Sequence, residues 1–298
     1  MEIKSVAIVG MGALGLLYGE QIVKSCGREA VRFVMDAGRY ERHKNDVYTV
    51  NGVQQNFVLQ SAADAKPVDL VIVATKFSGL EQALTEMQGL VGPETAIFSV
   101  LNGISSEERI KERFGDGNLL YCVALGMDAV REGTSLTYQH SGMLKIGCLE
   151  DKQRPALAAV TCFLDKVGLR YTVEEDIQHA LWAKLLLNVG INQTCMVYET
   201  SYGGALADAK AREDMFAAMH EVIAVAQCEG INLTEADFEG CDRCCAAWRT
   251  RACLPCVRTH WLSGRRRGSC SPVRLYAWRL STGWLCRSTS AITSALSK

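Results

Sequence analysis

The chain has 298 residues, a hydrophobic fraction of 48%, a charged fraction of 22% and a formal net charge of −1 at pH 7, all typical of a globular protein with one large or two medium domains. It has no run of 18 apolar residues that could span a membrane, and its start lacks the basic and apolar regions of a signal peptide. We therefore expect a cytoplasmic protein with no membrane partner and with reduced thiols. The isolated cysteines before residue 241 are interpreted as small core residues rather than a disulfide framework: Cys26, Cys122, Cys148, Cys162, Cys195 and Cys228.

A short apolar strand, a glycine-rich turn and a helix open the chain. Residues 5–9 predict the strand and residues 16–24 the helix. In this context a G-x-G-x-x-G motif allows a tight turn, close approach of a pyrophosphate and close packing of the helix, whose N-terminus attracts phosphate. We predict that a dinucleotide binds at the six motif residues, Gly10, Met11, Gly12, Ala13, Leu14 and Gly15.

The second predicted strand, Val31–Met35, ends at Asp36, about 20 residues after the motif, as in dinucleotide-binding folds. Asp36 could bind the ribose diol of NAD and repel the 2′-phosphate of NADP. The basic residues that follow could bind that phosphate, or could form a solvated helix face: Arg39, Arg42, His43 and Lys44. These residues alone leave the choice of dinucleotide open.

Two more buried strands are predicted at residues 69–74 and 95–101, because both runs are apolar without alternation. Lys76 and Asn102 follow them, at the end of the strands where ligands bind in open α/β sheets. We interpret both residues as cofactor or substrate contacts, although an Asn-Gly pair and a lysine at a strand end are also common in plain turns.

Residues 119–123 and 143–146 predict further strands, with a turn at Glu132-Gly133. His140 lies between these strands without a serine–histidine–acid arrangement around it, so we interpret it as structural.

The pattern then changes to helices, and residues 177–197 predict a long, mostly buried one. Lys184, Asn188 and Asn192 are spaced i, i+4, i+8 and would form one polar stripe on it. Buried polar groups need partners, so this stripe is predicted to face a pocket. A lysine there could stabilise and protonate the oxygen of a ketone as hydride arrives, and the asparagines could hold a small polar substrate. The fold class expected is an α/β N-terminal Rossmann-type domain over residues 1–172 plus an all-α C-terminal domain over residues 173–240.

In these features the chain resembles the ketopantoate reductase (2-dehydropantoate 2-reductase) family, from about residue 3 to residue 238. The resemblance implies reduction of 2-dehydropantoate to pantoate with NADPH, in the route to pantothenate and coenzyme A. It implies that Lys184 is the proton donor, that Asn102 touches nicotinamide and substrate, and that Asn188 and Asn192 bind the substrate. Lys76 and Ala129 would line the cofactor. The substrate is then a small 2-oxo acid; a homodimer is compatible with the sequence, and no metal or nucleic-acid partner is expected.

Two features depart from the family pattern. Asp36 stands where some members have an arginine, which weighs against the NADPH that the resemblance implies. Tyr202 lies where some members place another substrate asparagine, which leaves the identity of the 2-oxo acid open. The family's last helices supply a serine and a glutamate, whereas residues 241–298 show no such pattern.

This tail, residues 241–298, holds seven of the 13 cysteines, four of the five tryptophans, ten arginines, one lysine and one acid. Its net charge is therefore +10, against −11 for residues 1–240. It could be a zinc site built on two CxxC pairs with His260 nearby, a basic arm at Gly264–Gly268, or a disordered segment: the pairs are Cys241/Cys244 and Cys253/Cys256.

We favour a fourth interpretation, translation out of frame, because Cys, Trp, Arg and Ser are enriched without helical periodicity. Suitable synonymous codons for residues 274–290, read two bases later, permit a Gly-Val-x-x-Pro-Val-Asn segment like that of the family's ending. A tail of this kind makes a catalytically impaired nucleotide-binding protein the alternative to an active reductase.

Overall fold

The computed structural model describes residues 2–247. These residues divide into two compact units, one that ends at Ile177 and one that begins at Gln178. The boundaries at residues 172 and 240 stay predictions. Within the described residues, no helix is both long and apolar enough to cross a membrane.

The strands of the first unit are short and mostly buried. In chain order they are β1 Val6–Val9, β2 Val31–Met35, β3 Tyr48–Val50, β4 Val53–Gln55, β5 Val58–Ser61, β6 Leu70–Val73, β7 Ala96–Ser99, β8 Leu119–Met127, β9 Val130–Glu132, β10 Ser135–Thr137, β11 Ser141–Gly147 and β12 Tyr171–Val173.

Eight of these strands form one sheet with the order β12-β11-β8-β7-β6-β1-β2-β5. The run from β5 to β8 is parallel, β11 pairs antiparallel with β8, and β12 runs parallel to β11. Every residue of β1, β6 and β7 is buried, because helices cover both faces of such a sheet. This is the predicted Rossmann-type arrangement, with β1 inside the parallel run, between β6 and β2.

A second sheet in the described chain has the order β4-β3-β10-β9. It joins two hairpins that are distant in sequence, through parallel pairing of β3 with β10. The predicted turn at Glu132-Gly133 connects β9 to β10, and Gly133 has a positive φ of 59° there.

The helices connect these strands and then make up the second unit. They are α1 Ala13–Cys26, α2 Ala37–His43, α3 Leu80–Glu86, α4 Ser106–Phe114, α5 Arg154–Val167, α6 Ile177–Leu187, α7 Gln193–Val197, α8 Tyr202–Ala207, α9 Ala209–Cys228 and α10 Glu235–Ala247. The second unit is helical throughout its described residues, 178–247, which confirms the predicted fold class.

The helix expected over residues 177–197 has these limits but is not α-helical throughout. A π-helical segment, Asn188–Asn192, lies between α6 and α7. Prediction from periodicity alone was wrong here, since it assumed one α-helical repeat along the whole stretch.

The cysteine interpretation is partly corrected. The cysteines among the described residues are free thiols, as expected, and Cys122 and Cys195 are buried. Cys162 and Cys228 are exposed instead, since each lies on the outer side of its helix.

The composition break at Gly240 falls inside α10, which continues to Ala247. Cys245 is fully buried, and the Cys241 Sγ lies 4.0 Å from the carbonyl oxygen of Ala183. The first tail residues therefore pack against the second unit. The remaining tail assignments, from residue 248 onward, lie outside the described residues.

Candidate functional site

The glycine motif lies between β1 and α1, and backbone contacts require its glycines. Gly10 has a φ of +110°, and a Cβ on it would lie 2.6 Å from the carbonyl carbon and oxygen of Ala74. A Cβ on Gly15 would lie 2.1 Å from the Gly10 carbonyl oxygen. Both contacts are shorter than atoms can approach, so the turn and the helix packing hold only with glycine here.

Gly12 differs from its neighbours, because a Cβ there would meet its nearest atom, the Ala74 carbonyl oxygen, at an ordinary 3.5 Å. Gly12 is the N-cap of α1 and provides no side-chain cap. The first-turn N–H groups of this 14-residue helix, at Ala13, Leu14 and Gly15, therefore have no intrahelical partner and face the turn. Bare backbone with unpaired donors fits a dinucleotide pyrophosphate.

Arg131 is a residue near this loop that the sequence did not reveal. It lies on β9, and its Nη1 donates to the carbonyl oxygen of Met11, while its Nε donates to the carbonyl oxygen of Gly133 at 2.7 Å. The second sheet thus brings a guanidinium to the glycine motif from 120 residues away. Sequence spacing held no signal for this contact, because it depends on the β3–β10 pairing.

Asp36 caps α2, its Oδ1 accepting the N–H of Arg39 at 2.9 Å. The buried carboxylate of Glu86 accepts the backbone N–H of Asp36 and lies 3.7 Å from the Arg39 guanidinium. Burial raises the pKa of the Glu86 carboxyl, and the hydrogen bond from Gln82 and the charge of Arg39 oppose this rise. Two carboxyl groups thus surround the end of β2, and Arg39 is already engaged with one of them.

Lys76 and Asn102 follow β6 and β7, which are adjacent parallel strands with Val73 opposite Ser99. Since β1 pairs with β6, both residues lie at the same sheet edge as the glycine motif. Both side chains are exposed there. Ala129 is 93% buried, between β8 and β9.

His140 is not one of this group of candidate residues near the glycine motif. Its Nδ1 lies 2.8 Å from the Asp128 Oδ2, and its N–H donates to Oδ1 of the same carboxylate. This pair ties the start of β11 to the end of β8, in agreement with a structural role.

The polar stripe of the second unit is joined by hydrogen bonds. Asn192 donates from Nδ2 to Oδ1 of Asn188 at 2.9 Å, and the hydroxyl of Tyr202 donates to Oδ1 of Asn192 at 2.8 Å. Asn188 and Tyr202 are buried and Asn192 is partly buried. Tyr202, known from the sequence only as a departure from the family pattern, thus orients both amides.

Lys184 lies one turn before Asn188 and is partly buried, next to the buried Leu185 and two residues after the buried Trp182. A partly buried ammonium group interacts more strongly with a charge that develops beside it than the same group in water.

The π-helical segment is made possible by close packing against α9. A Cβ on Gly190 would lie 2.6 Å from the Sδ of Met219, so α9 approaches the backbone between the two asparagines. Such single π-helical turns within α-helices are frequent at functional sites. Here the turn adds a residue to the helical repeat while Asn188 and Asn192 stay in hydrogen-bond contact.

Gln193, the next residue, is a second feature that the sequence did not reveal. Its side chain is 98% buried, and neither amide atom has a hydrogen-bond partner among residues 2–247. An unpaired buried amide costs stability, and its position beside Asn192 makes it a candidate for contact with substrate.

The zinc interpretation of the tail gains no support from the described residues, which contain no group of three potential metal ligands. Cys241 and Cys244 lie on α10, and burial raises the pKa of the Cys241 thiol to about 12. The other proposed ligands, Cys253, Cys256 and His260, lie outside the described residues.

Comparison with known proteins gives one consistent family. The model of the ketopantoate reductase PanE/ApbA family matches residues 6–151, and that of its C-terminal domain matches residues 176–252. A 2-dehydropantoate 2-reductase of Streptococcus pyogenes serotype M6 is 25% identical over 241 residues, which cover 78% of this chain and 77% of the relative.

Solved structures share the fold. A dimeric ketopantoate reductase from Staphylococcus aureus superposes with a TM-score of 0.70 at 21% identity. The match covers 93% of this chain and 99% of the reductase chain. A D-mandelate dehydrogenase bound to NADH and anilino(oxo)acetate has a TM-score of 0.77 at 19% identity. The match covers 98% of this chain and 96% of the dehydrogenase chain. The C-terminal family match extends 12 residues beyond Gly240, so the similarity runs past the composition break.

Proposed function

The chain belongs to the ketopantoate reductase family of oxidoreductases, and we propose that it reduces 2-dehydropantoate to pantoate with NADPH. This reaction would place it in pantothenate and coenzyme A synthesis, in the cytoplasm. The observation that carries the proposal is the partly buried stripe of Lys184, Asn188 and Asn192, in which Tyr202 orients the amides. An ammonium followed by oriented amides suits a substrate with a keto group beside a carboxylate.

In this proposal Lys184 supplies the proton. The bound reduced nicotinamide supplies a hydride to the keto carbon. As negative charge develops on the keto oxygen, the Lys184 ammonium stabilises it and transfers one proton from Nζ, leaving a neutral amine and a hydroxyl group. The partial burial of Lys184 lowers the local dielectric and so strengthens this stabilisation.

Asn188 and Asn192 are proposed to bind the substrate. The mutual hydrogen bond and the Tyr202 hydroxyl use Oδ1 of both residues and one Nδ2 proton of Asn192. The Nδ2 group of Asn188 and the second Nδ2 proton of Asn192 can then donate to hydroxyl or carboxylate oxygens.

For the cofactor, we propose that residues 10–15 bind the pyrophosphate, with Lys76, Asn102 and Ala129 along the rest of the dinucleotide. Asn102 is assigned the contact with both nicotinamide and substrate. The guanidinium of Arg131 adds positive charge beside the motif.

NADH is a second cofactor candidate, favoured by a specific observation. The carboxyl groups of Asp36 and Glu86 both lie at the end of β2, where negative charge disfavours a 2′-phosphate. The ratio of kcat/KM for NADPH to that for NADH in the purified chain decides between the two; a ratio below one would replace NADPH by NADH.

The test of the function is oxidation of NADPH by the purified full chain with 2-dehydropantoate, together with fluorescence titration of NADPH. Turnover supports the proposal. Turnover with another 2-oxo acid in a substrate panel, such as an aryl 2-oxo acid like the one bound to the D-mandelate dehydrogenase, would keep the reductase and replace the substrate.

NADPH binding without any turnover would favour the alternative of a catalytically impaired nucleotide-binding protein with an altered tail. Sequencing the gene across codons 236–246 tests the frame directly, because an intact frame that agrees with this protein contradicts the frameshift interpretation. We also propose a homodimer, on the basis of the dimeric relative; size-exclusion chromatography with light scattering measures this.

A further inference from the structure

A chain of buried polar groups lies behind the loop that carries Asn102. The Leu101 N–H donates to Ser99 Oγ at 3.2 Å, the Ser99 hydroxyl donates to Ser106 Oγ at 3.0 Å, and the Ser106 hydroxyl donates to Glu107 Oε2 at 2.8 Å. Ser99, Ser106 and Glu107 are each at most 2% exposed. We call these three residues the loop network.

The loop network joins both ends of the loop. Ser99 is the last residue of β7, while Ser106 and Glu107 begin α4. Between them, Gly103 has a φ of +105°, which sets the turn after Asn102. The residue directly before Asn102 donates its N–H to the network, so the network determines where the backbone of Asn102 lies.

Burying the Glu107 carboxyl group at this position is unfavourable for stability. Its Oε1 has no hydrogen-bond partner among the described residues, and burial raises the pKa of its carboxyl to about 7, against the hydrogen bonds from Ser106 and from its own backbone N–H. An apolar side chain would avoid this desolvation. Glu107 is therefore poorly explained by stability alone.

A carboxylate provides a hydrogen-bond acceptor for Ser106, which an apolar side chain would not. As a pure acceptor at the end of the chain, it orients the Ser106 hydroxyl, which leaves the Ser106 oxygen to accept from Ser99, and so on to the Leu101 N–H. All donors then point toward Glu107, and one arrangement of the loop is preferred.

We propose that Glu107 is a positioning residue, which acts through Ser106 and Ser99 to hold Asn102 in the conformation needed for contact with nicotinamide and substrate. This inference rests on the role proposed above for Asn102.

The proposal is tested in the full chain with Glu107→Leu and Glu107→Gln, with Glu112→Gln as the matched control. Glu112 lies on the same helix, exposed and paired with Arg109. Glu107→Leu should lower kcat about tenfold, the equivalent of one lost hydrogen bond, with little change in KM for substrate. Its stability in urea should stay close to that of the wild type, because removal of the desolvated carboxyl offsets the loss of the acceptor for Ser106. Lower activity without lower stability is a result that a structural role would not produce.

Glu107→Gln keeps an acceptor for Ser106 and should restore most of the activity. Glu107→Gln is also the reference protein with which the pH dependence of the wild-type kcat is compared. The titratable groups that act on or respond to Glu107 are Glu108 on α4, and Tyr121 and Cys122 on β8. The wild-type to Gln ratio of kcat should rise about threefold between pH 6 and pH 8, as the Glu107 carboxyl ionises and becomes the stronger acceptor.

Hydrogen exchange at the Leu101 amide tests the loop network independently of the proposed function, because it does not depend on the substrate. Faster exchange in Glu107→Leu, but not in Glu112→Gln, supports the loop network even if 2-dehydropantoate is not the substrate. If Glu107→Leu leaves Leu101 exchange unchanged, or if its activity falls only in proportion to a loss of stability, the inference is overturned.

Discussion

The two candidate regions of this molecule are built in opposite ways. The dinucleotide region at residues 10–15 uses backbone: contiguous residues, glycines that allow no Cβ, and the N–H groups at the start of α1. The Lys184 region uses side chains, and its amides are oriented by Tyr202 from another helix. A backbone site is therefore damaged by adding atoms, whereas a side-chain site is damaged by removing them.

This difference also sets what each region can bind. Backbone N–H groups at a helix terminus suit a phosphate of any dinucleotide and do not by themselves select one. Oriented amides next to an ammonium discriminate between small substrates, because an unmatched buried donor or acceptor has a cost. Substrate specificity is thus expected to depend on the second unit.

The largest effect is expected from Lys184→Ala, which should lower kcat by about 10²–10⁴-fold, the range for a lost general acid. NADPH affinity should remain within about twofold, since residues 10–15, and not Lys184, are proposed to carry the phosphate contacts. Steady-state kinetics and fluorescence titration measure the two quantities. The exposed Lys210 provides the matched control as Lys210→Ala, and an unchanged kcat in Lys184→Ala would remove the proposed proton donor.

The pair Gly12→Ala and Gly15→Ala tests the backbone site. A Cβ on Gly15 meets the Gly10 carbonyl oxygen at 2.1 Å, so Gly15→Ala should lose about 1–3 kcal/mol of unfolding free energy or more. Gly12→Ala has room in the fold and should keep its stability, while the cofactor affinity falls about tenfold because the phosphate can no longer approach the backbone.

Urea denaturation and NADPH titration of both variants distinguish these outcomes. If Gly12→Ala bound NADPH like the wild type, the phosphate would have to lie elsewhere than at the N-cap of α1.

A smaller effect is expected from Tyr202→Phe, which removes the hydroxyl that donates to Asn192. The loss of one hydrogen bond of about 1 kcal/mol should lower kcat/KM about fivefold. Tyr198→Phe is the control, because the Tyr198 hydroxyl binds Asp214 rather than the asparagines. Equal effects of the two substitutions would argue against a specific role of Tyr202 in orienting the amides.

The smallest effect concerns Gln193, whose buried amide has no hydrogen-bond partner in residues 2–247. Gln193→Met should raise the free energy of unfolding by up to about 1 kcal/mol, since it removes an unpaired polar group at similar volume. Thermal and urea denaturation measure this. A simultaneous rise in KM for the keto acid would identify Gln193 as a substrate contact, whereas a loss of stability would show that its amide is paired in solution.

Many elements could be predicted from the sequence because their signals are local. The limits of β2, and those of the helical stretch over residues 177–197, match the prediction. The parallel strands β1, β6 and β7 were recognisable as apolar runs, because each is covered on both faces. Gly10 and Gly15 were assigned the roles that their backbone contacts require.

The candidate residues that the sequence did not reveal have no such local signal. Arg131 reaches the glycine motif only through the pairing of β10 with β3, and the Glu107 carboxyl is linked to the Asn102 loop only through Ser106 and Ser99. The π-helical turn at Asn188–Asn192 depends on the close approach of Met219 to Gly190. The exposure of Cys162 and Cys228 likewise depends on which face of its helix each occupies.

The sequence by itself determined the strands β1, β2, β6, β7, β8 and β11, the dinucleotide motif and the lysine–asparagine stripe, because these depend on residues close together in the chain. Only the tertiary structure decided which groups orient that stripe, which cation meets the glycine motif and what holds Asn102. Hydrogen bonds between distant residues form only after the strands and helices have packed, and no spacing along the chain encodes their geometry.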